Sequence, residues 1–402
     1  MKSEADYYSY KKELNYILKH YLLPSKKERK ELEAIVNNFK KKLENVLEEE
    51  VFIGGSYAKD TYLKGKNDVD IFVRFSNEDR MNDLREKLKV FRNLEIVHGS
   101  RIYYRVKFNG LIFEIVPILK IRKPKDFKNI TDVSPFHVEF INKKLSKYEK
   151  NEVRLLKAFC KANNLYGAET SIHGFSGYVL ELLIAYCGSF LNVLKLVSKS
   201  KPPLIISFDK SKPINISVIT LLDPVQPRRN ASKSVSGEKF SKFQFLAKKF
   251  LLDVKNNRSI MKYFKLKKMT IKKLQSLSKR RGTKLFVKKI KIEGDSEKFL
   301  SKLNKKLKSI KSSLNKEGYS VYNHAYFLNK NEVIIYFEIE ALKLSKMKKH
   351  YGPPVSVDLK HFEEFIKKWG EKNVYVCENR LCVDIKRKDL NVLINSLFKQ
   401  YF

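Results

Sequence analysis

The sequence predicts an α+β protein made of several domains. Segments with the apolar spacing of helices alternate with segments of strand-like spacing along the chain. With 402 residues, the chain exceeds what one hydrophobic core usually organises. Hydrophobic residues make up 43% of it and aromatic residues 12%, which favours folded domains over extended disorder.

The first part of the chain predicts two helices followed by a small α/β unit that ends near Phe140. Apolar residues recur at helical spacing in residues 5–48, in two stripes on either side of Pro24. Apolar or alternating runs typical of strands follow at residues 51–53, 69–75, 102–108 and 111–119. Asn109 and Gly110 separate the last two runs and indicate a β-hairpin.

Residues 149–252 return to helical spacing and predict a helical second domain. Their most apolar stretch, residues 177–197, contains Glu181, Asn192 and Lys195, so we expect a buried helix pair and not a lipid-spanning helix.

The last part of the chain is predicted to form one or two small α+β modules. Its expected elements are strands at 286–292, 322–327 and 333–339, helices at 296–317 and 359–369, a hairpin at 374–385 and a final helix.

The charge balance predicts a polyanionic partner. Lys and Arg total 83 against 44 Asp and Glu, and a formal net charge of +39 would repel itself without such a partner. Residues 255–291 contain fifteen Lys or Arg residues and no carboxylate, with aromatic residues among them. RNA or DNA is therefore the expected partner, the alternatives being a lysine-rich genome and a merely solvated basic face.

The cysteines favour a reducing compartment. Cys160, Cys187, Cys377 and Cys382 form no CxxC pair and no zinc-finger spacing with histidine. The N-terminal residues are charged and lack the apolar core of a signal peptide. We expect a cytoplasmic protein with no membrane partner.

A glycine turn near residue 55 offers a phosphate site. Residues 52–58 (FIGGSYA) predict a strand that ends in a turn before a helix. Backbone N–H groups around Gly55, the hydroxyl of Ser56 and the ammonium of Lys59 could together receive a triphosphate. By itself such a motif is also typical of an ordinary turn.

Two aspartates follow twelve residues after Ser56. Asp68 and Asp70 precede a predicted strand, and residues two apart on a strand project from one face about 6.6 Å apart. Two Mg²⁺ ions roughly 4 Å apart, which activate a hydroxyl and hold a leaving pyrophosphate, need clustered anions of this kind. Two solvated acids at the mouth of a strand are the alternative.

Glu114 is the third candidate metal ligand. It is the only charged residue in residues 111–119 (LIFEIVPIL), where an ionised carboxylate is costly unless a cation or hydrogen-bond donors meet it. A metal ion and a structural salt bridge to a lysine both satisfy this requirement. The turn, the two aspartates and Glu114 together are typical of the DNA polymerase β-like nucleotidyltransferase superfamily.

Six further segments indicate one family within this superfamily. They are residues 131–137 (TDVSPFH), 151–157 (NEVRLLK), 164–169 (NLYGAE), 173–183 (HGFSGYVLELL), 223–230 (DPVQPRRN) and 350–355 (HYGPPV). With these segments the chain resembles the archaeal-type, class I CCA-adding tRNA nucleotidyltransferases over nearly its whole length, loosely between residues 255 and 349. The resemblance implies a polymerase β-like nucleotidyltransferase head, a helical central domain and C-terminal ferredoxin- or RRM-like α+β modules.

The resemblance also implies an activity and a set of site residues. The activity is template-independent addition of C, C and A to the 3′ end of tRNA from CTP and ATP, with release of pyrophosphate. Two Mg²⁺ ions would be held by Asp68, Asp70 and Glu114. The implied nucleotide-binding residues are Gly55, Ser56, Lys59, His137, Lys157, Tyr166, Arg228 and Arg229, of which the two arginines would read the base and the others would contact the triphosphate or sugar.

Four domains follow from the same resemblance. Residues 1–145 would be the catalytic nucleotidyltransferase domain and residues 146–253 the helical domain with base and primer contacts. Residues 254–345 and 346–402 would be α+β domains that bind the acceptor and TΨC arms of tRNA. A homodimer is one alternative for the oligomeric state.

Two departures from the family leave alternatives open. The family usually has Asp where this chain has Glu114, and often Arg where it has Lys59. A poly(A) polymerase or oligoadenylate synthetase-like enzyme shares the carboxylate site, and a catalytically decayed RNA-binding protein would share the basic surface. Without the resemblance, His137 and Tyr166 are more typical of loop or core residues.

Overall fold

The computed structural model describes residues 4–209, 211–266, 269–292, 296–329, 332–340 and 344–402. The chain divides into two compact units, Met1–Lys267 and Lys268–Phe402. Each unit has its own buried core.

The first unit opens with the two predicted helices, α1 (Glu4–Ile17) and α2 (Lys26–Val46). Ser25 caps α2: its hydroxyl accepts from the Glu28 N–H at 3.2 Å, while the Glu28 carboxylate accepts from the Ser25 N–H at 2.6 Å. This reciprocal pair satisfies two N–H groups that a helix start leaves without partners. It also explains why the second helix begins directly after Pro24.

A five-stranded sheet follows, in the order β1-β2-β5-β4-β3. Strands β2 and β5 are parallel and the other neighbours antiparallel. One-turn helices lie in the connections. The elements are β1 (Glu50–Ile53), α3 (Gly55–Ala58), β2 (Asp68–Phe75), α4 (Asp79–Asn82), α5 (Leu84–Lys87), β3 (Glu95–His98), β4 (Ile102–Phe108) and β5 (Leu111–Leu119).

One face of this sheet packs against α2. Phe39 of α2 stacks on Phe113 of β5 with ring centroids 3.9 Å apart, and Val69 and Ile71 of β2 lie in the same core. Because side chains alternate along a strand, the residues between these apolar positions project from the opposite face. That opposite face carries the candidate acids.

The helical part of the first unit contains the largest core, which α1 also joins. A two-stranded parallel sheet in it was not predicted. Its elements are α6 (Ser134–Lys144), α7 (Lys147–Ala162), α8 (Gly177–Cys187), α9 (Phe190–Lys199), β6 (Leu204–Ile206), β7 (Ile219–Leu221) and α10 (Gly237–Lys255).

The predicted buried helix pair is confirmed. Helices α8 and α9 contribute most of their apolar residues to this core. Over the described residues, no single helix is both long and apolar enough to cross a membrane; α8 and α9 meet that test only as a pair, which bends by 92° at the break between them.

The second unit contains two antiparallel three-stranded sheets, in the orders β8-β10-β9 and β11-β13-β12. Helices α12 and α14 pack on the buried central strand β10. The elements are α11 (Ile271–Arg281), β8 (Thr283–Lys291), α12 (Ser296–Lys316), β9 (Val321–Asn329), β10 (Glu332–Glu340), β11 (Met347–Pro354), α13 (Leu359–Trp369), β12 (Val374–Cys377), β13 (Arg380–Lys386) and α14 (Leu390–Tyr401).

Candidate active site

The register of two neighbouring strands brings the three candidate acids onto one face. In the parallel pair of β2 and β5, Asp70 lies opposite Glu114, and Asp68 precedes Asp70 by two residues. Burial raises the pKa of Asp70, and the charge of Asp68 adds to this effect. Burial likewise raises the pKa of Glu114, with the charge of Asp70 as the next cause. Carboxylates that disfavour each other's charge in this way attract a cation.

The glycine turn lies directly against Asp70. The Gly54 N–H donates to the backbone carbonyl of Asp70 at 2.8 Å. Gly55 has a φ of +57°, and a Cβ at this position would lie 1.6 Å from Oδ2 of Asp70. Only glycine allows both this backbone conformation and this approach. The helix expected after the turn is a single turn long.

A lysine that the sequence analysis did not single out connects the turn to the acids. The Nζ of Lys66 lies 2.8 Å from Oδ2 of Asp68 and donates to Oγ of Ser56 at 3.0 Å. Its ammonium therefore joins a candidate phosphate-binding hydroxyl to a candidate metal ligand.

Glu114 also contacts a basic side chain. Arg105 lies opposite it on β4, and its Nε and Nη2 are 2.8 Å and 2.7 Å from Oε1 of Glu114. The salt bridge considered as an alternative for Glu114 is thus present, with an arginine in place of a lysine.

Asp68, Asp70 and Glu114 are the side chains that could hold a divalent cation at this site. Within the described part of the chain, no three His, Cys, Asp or Glu side chains lie close enough together to hold a metal ion. Asp68 and Glu114 each contact a cationic side chain instead. The chemistry of the set nevertheless fits Mg²⁺, because three carboxylates on one face of adjacent strands supply the hard oxygen ligands that this ion prefers.

Two of the predicted phosphate-binding lysines meet at one buried carboxylate. Oε2 of Glu181 lies 2.5 Å from Nζ of Lys59, and Oε1 lies 2.7 Å from Nζ of Lys157. Burial lowers the pKa of Lys157 to about 8, against the opposing charge of Glu181. Burial alone would raise the pKa of Glu181, but the charges and hydrogen bonds of the two lysines together lower it to about 2.

Tyr166 lies beside this pair. A Cβ on Gly177 would lie 3.0 Å from the Tyr166 hydroxyl and 3.7 Å from Nζ of Lys157, so the glycine leaves space for both groups. Lys161 lies over the Tyr166 ring, with its Nζ 4.9 Å from the centroid. Burial raises the pKa of Tyr166, and the negative charges of Glu181 and the two aspartates add to it.

The remaining predicted residues lie around Asp223. Its Oδ2 is 3.1 Å from Nε2 of His137 and 2.5 Å from Nη1 of Arg229, while Oδ1 accepts from the Tyr178 hydroxyl at 2.9 Å. His137 and Tyr178 stack with ring centroids 4.2 Å apart. Arg228, directly before Arg229 in the chain, is exposed and has a φ of +74°, which residues other than glycine seldom adopt.

Sequence reasoning missed several members of these clusters. Glu181 had a signal, because it is the only charged residue between positions 177 and 187, as Glu114 is in its strand. Asp223 stood inside a recognised segment without an assigned role. Lys66 and Arg105 had no local signal in so lysine- and arginine-rich a chain, since their contacts depend on the fold.

Three family models match successive parts of the chain. Residues 32–145 match the nucleotidyltransferase domain, residues 151–264 the second domain of tRNA nucleotidyltransferase, and residues 281–397 the C-terminal domain of the CCA-adding enzyme. The CCA-adding enzyme of Sulfolobus acidocaldarius is 31% identical over 94% of this chain and 90% of its own length. The chain belongs to the CCA-adding enzyme family.

Other members of the family agree. The CCA-adding enzyme of Nanoarchaeum equitans is 33% identical over 84% of this chain and 86% of its own length. That of Sulfurisphaera tokodaii is 32% identical over 87% of this chain and 84% of its own length. The resemblance drawn from the sequence is confirmed.

A solved structure shares the fold of about two thirds of the chain. Cid1 in complex with its short product ApU superposes with a TM-score of 0.52 at 13% identity, covering 66% of this chain and all of that chain. At this identity the likeness concerns the fold alone, which is that of the polymerase β-like nucleotidyltransferases.

Proposed function

We propose that this protein is a CCA tRNA nucleotidyltransferase, which adds C, C and A to the 3′ end of tRNA from CTP and ATP without a template and releases pyrophosphate. Family membership supports the activity. The observation that carries it for this chain is the parallel register of β2 and β5, which puts Asp70 and Glu114 side by side next to the glycine turn.

Asp68, Asp70 and Glu114 would hold two Mg²⁺ ions. When bound, these ions lower the pKa of the attacking 3′ hydroxyl and neutralise the charge of the departing pyrophosphate. The strand register, which puts Asp70 beside Glu114 and Asp68 on the same face, supports this assignment. Gly55 leaves room for the Asp70 carboxylate, which a Cβ at position 55 would displace.

The nucleotide would be held by two groups of side chains. Ser56, Lys59, Lys157 and Tyr166 would bind the triphosphate and sugar, and the proximity of Lys59 and Lys157 at Glu181 supports their joint role. Arg229 would present its planar fork to the base, since Asp223 fixes one of its nitrogens and also contacts His137. Arg228, exposed beside it, would assist in reading the base.

The tRNA would be held mainly through its backbone. Phosphates dominate nucleic-acid affinity, and the fifteen basic residues of positions 255–291 would contact the acceptor and TΨC arms. The proposed functional domains are residues 1–145, 146–253, 254–345 and 346–402. A cytoplasmic site of action agrees with four free cysteines.

The direct test is incubation of the protein and Mg²⁺ with tRNA that lacks its 3′ CCA, with each nucleoside triphosphate offered singly and in pairs. We expect incorporation of two C residues and then one A, followed by termination. Open-ended adenylate addition would favour a poly(A) polymerase, and no incorporation under any condition would favour an RNA-binding protein.

A residue-level test uses Asp70→Ala. This change removes the central carboxylate and should abolish incorporation while tRNA affinity stays within about twofold, because the tRNA contacts lie elsewhere. Asp126→Ala, at an exposed acid in the 3-10 turn Pro124–Asp126, is the matched control and should retain full activity. Retained turnover in Asp70→Ala would refute the metal assignment.

A further inference from the structure

Glu181 is a fully buried carboxylate with an unusual set of contacts. Its Oε1 accepts from the Thr61 hydroxyl at 2.6 Å as well as from Lys157, and its Oε2 accepts from Lys59. Lys157 in turn donates to the Thr61 hydroxyl at 2.9 Å. Every polar group in this cluster therefore has a partner inside it.

The cluster joins two parts of the chain that are far apart in sequence. Lys59 and Thr61 follow the glycine turn of the nucleotidyltransferase part, whereas Lys157 lies on α7 and Glu181 on α8 of the helical part. A contact between positions 59 and 181 spans 122 residues. Glu181 thus fixes the positions of two lysines that the backbone of neither part fixes alone.

The cluster carries an excess positive charge. Two ammonium groups face one carboxylate, and Lys59, Lys157 and Glu181 are 7%, 3% and 0% exposed. Buried charges of one sign are costly unless an opposite charge compensates them. Within the cluster, positive charge exceeds the single carboxylate, which favours an anionic ligand at this point of the molecule.

The cluster lies next to the candidate acids. The charge of Lys59 acts on Asp70, and the charge of Lys66 acts on Lys157. Tyr166, whose hydroxyl lies close to Lys157, is under the influence of both Glu181 and Asp68. An anion bound by these lysines would therefore lie beside the metal ligands.

We propose that Glu181 is a positioning residue that holds the ammonium groups of Lys59 and Lys157 side by side as a preformed receptor for the triphosphate of the incoming nucleotide. This inference rests on the proposed function, since it names the residue that organises the same site. Both carboxylate oxygens of Glu181 already accept hydrogen bonds from Lys59, Lys157 and Thr61. Glu181 therefore does not contact the substrate itself. It acts through the two lysines.

A purely structural role makes a different prediction. If Glu181 only tied the two parts of the first unit together, its loss would lower stability without changing phosphate affinity at temperatures where the protein is folded. Inorganic tripolyphosphate separates the two roles, because it has no base or sugar and reports on the phosphate receptor alone.

The experiment measures dissociation constants for tripolyphosphate and CTP by calorimetry, with Mg²⁺ present, for the full chain and three variants: Glu181→Gln, Lys157→Met and both together. We expect Glu181→Gln to weaken tripolyphosphate binding about tenfold or more. In the Lys157→Met background the same change should weaken it about threefold or less, because the residue acts partly through that lysine. Unchanged affinity in Glu181→Gln, or effects that simply multiply, would overturn the proposal.

Two further variants control for folding. Asp253→Asn removes another buried carboxylate that contacts a lysine, Lys262 at 2.6 Å, and should lower stability without changing tripolyphosphate affinity. Glu181→Asp keeps the charge but is too short to contact both ammonium groups, so a smaller loss of affinity is expected. If Glu181→Gln does not fold, unchanged affinity in Glu181→Asp overturns the proposal in its place.

The incorporation assay on the unaltered chain keeps this test separate from the proposed function. If the unaltered chain adds no nucleotide but the single and double variants bind tripolyphosphate with the expected affinities, only the CCA-adding function is contradicted. A chain that adds CCA while Glu181→Gln binds tripolyphosphate normally would contradict only the role of Glu181.

Discussion

At the scale of single residues, Gly55 is the position where backbone and chemistry are most tightly linked. Its φ of +57° and the 1.6 Å that would separate a Cβ from Asp70 make any side chain incompatible with the observed site. Gly55→Ala should therefore lower CTP incorporation by at least about 100-fold, because either the turn or Asp70 must move. Steady-state incorporation into tRNA ending at its discriminator base measures this effect.

Gly65→Ala is the matched control for that variant. Gly65 has a φ of +74°, but a Cβ there would have no heavy atom within 4 Å. Both changes strain the backbone by about 1–2 kcal/mol, and only Gly55→Ala adds a clash, so its thermal unfolding temperature should fall at least as much. Equal losses of activity in the two variants would show that strain alone explains the Gly55 effect.

Lys157 gives the site a dependence on pH. Its pKa is lowered to about 8, with burial as the main cause and the charges of Glu181, Lys59 and Lys66 also acting. Only the protonated amine attracts phosphate, so CTP affinity should fall as pH rises through about 8, by up to about tenfold per unit. Calorimetric titration between pH 7 and 9.5 tests this, and Lys157→Met should remove the dependence. A decline that persists in Lys157→Met would assign it to another group.

The strand positions of the three acids could be predicted from the sequence, whereas the basic side chains that contact them could not. Asp68 and Asp70 are two apart, and Glu114 stands alone among apolar residues, so strand periodicity put all three on a sheet. Their adjacency then follows from the strand order. The contacts of Lys66 and Arg105 could not be predicted, because dozens of basic side chains compete for the same acids until the fold selects one.

At the scale of elements, strand β5 carries Glu114 on one face, and the core residues on its other face hold the strand in place. Phe113 is fully buried and stacks on Phe39. Phe113→Ala should lower the free energy of unfolding by about 3–5 kcal/mol, since it removes a core ring and leaves a cavity. Denaturant unfolding measures the change.

Ile102, 46% exposed on β4 of the same sheet, provides the comparison. Ile102→Ala should change stability by less than about 0.5 kcal/mol, as surface substitutions usually do. A loss below about 1 kcal/mol for Phe113→Ala would mean that α2 does not support the catalytic sheet.

Most long elements were predictable, although helix α11 was not, and three of the shortest strands were missed. Helix α13 was predicted with its observed ends, Leu359–Trp369. Strands β3, β6 and β7 have only three or four residues, too few to show a period. Strand β11 contains a glycine and two prolines and was not predicted, because proline cannot donate a ladder hydrogen bond.

At the scale of the whole molecule, the net charge of +39 determines how RNA binding responds to salt. The affinity for tRNA should fall steeply between about 50 and 300 mM salt, since each phosphate contact releases roughly 0.7–0.9 counterions. Filter binding over this range measures the slope. CTP affinity, which depends on a buried site, should change much less and serves as the internal control.

The exposed lysines of β8 allow the source of that slope to be located. Lys289 and Lys291 are exposed on this strand. Replacing both by Gln should reduce the salt slope by about 1–2 if they contact phosphates. If the salt slope stays the same although the net charge has fallen by two, these two lysines do not contact phosphates, and the RNA-binding surface lies elsewhere than on β8.

The contacts of Asp223 bear on attempts to alter which nucleotides the enzyme accepts. One carboxylate, 1% exposed, serves His137, Tyr178 and Arg229 at once. Replacing Arg229 alone leaves part of a buried negative charge uncompensated, so a redesign of the proposed base pocket must change positions 223 and 229 together. During evolution, substitutions at positions 223 and 229 should likewise occur together. Changes of nucleotide preference by a single substitution should therefore be rare.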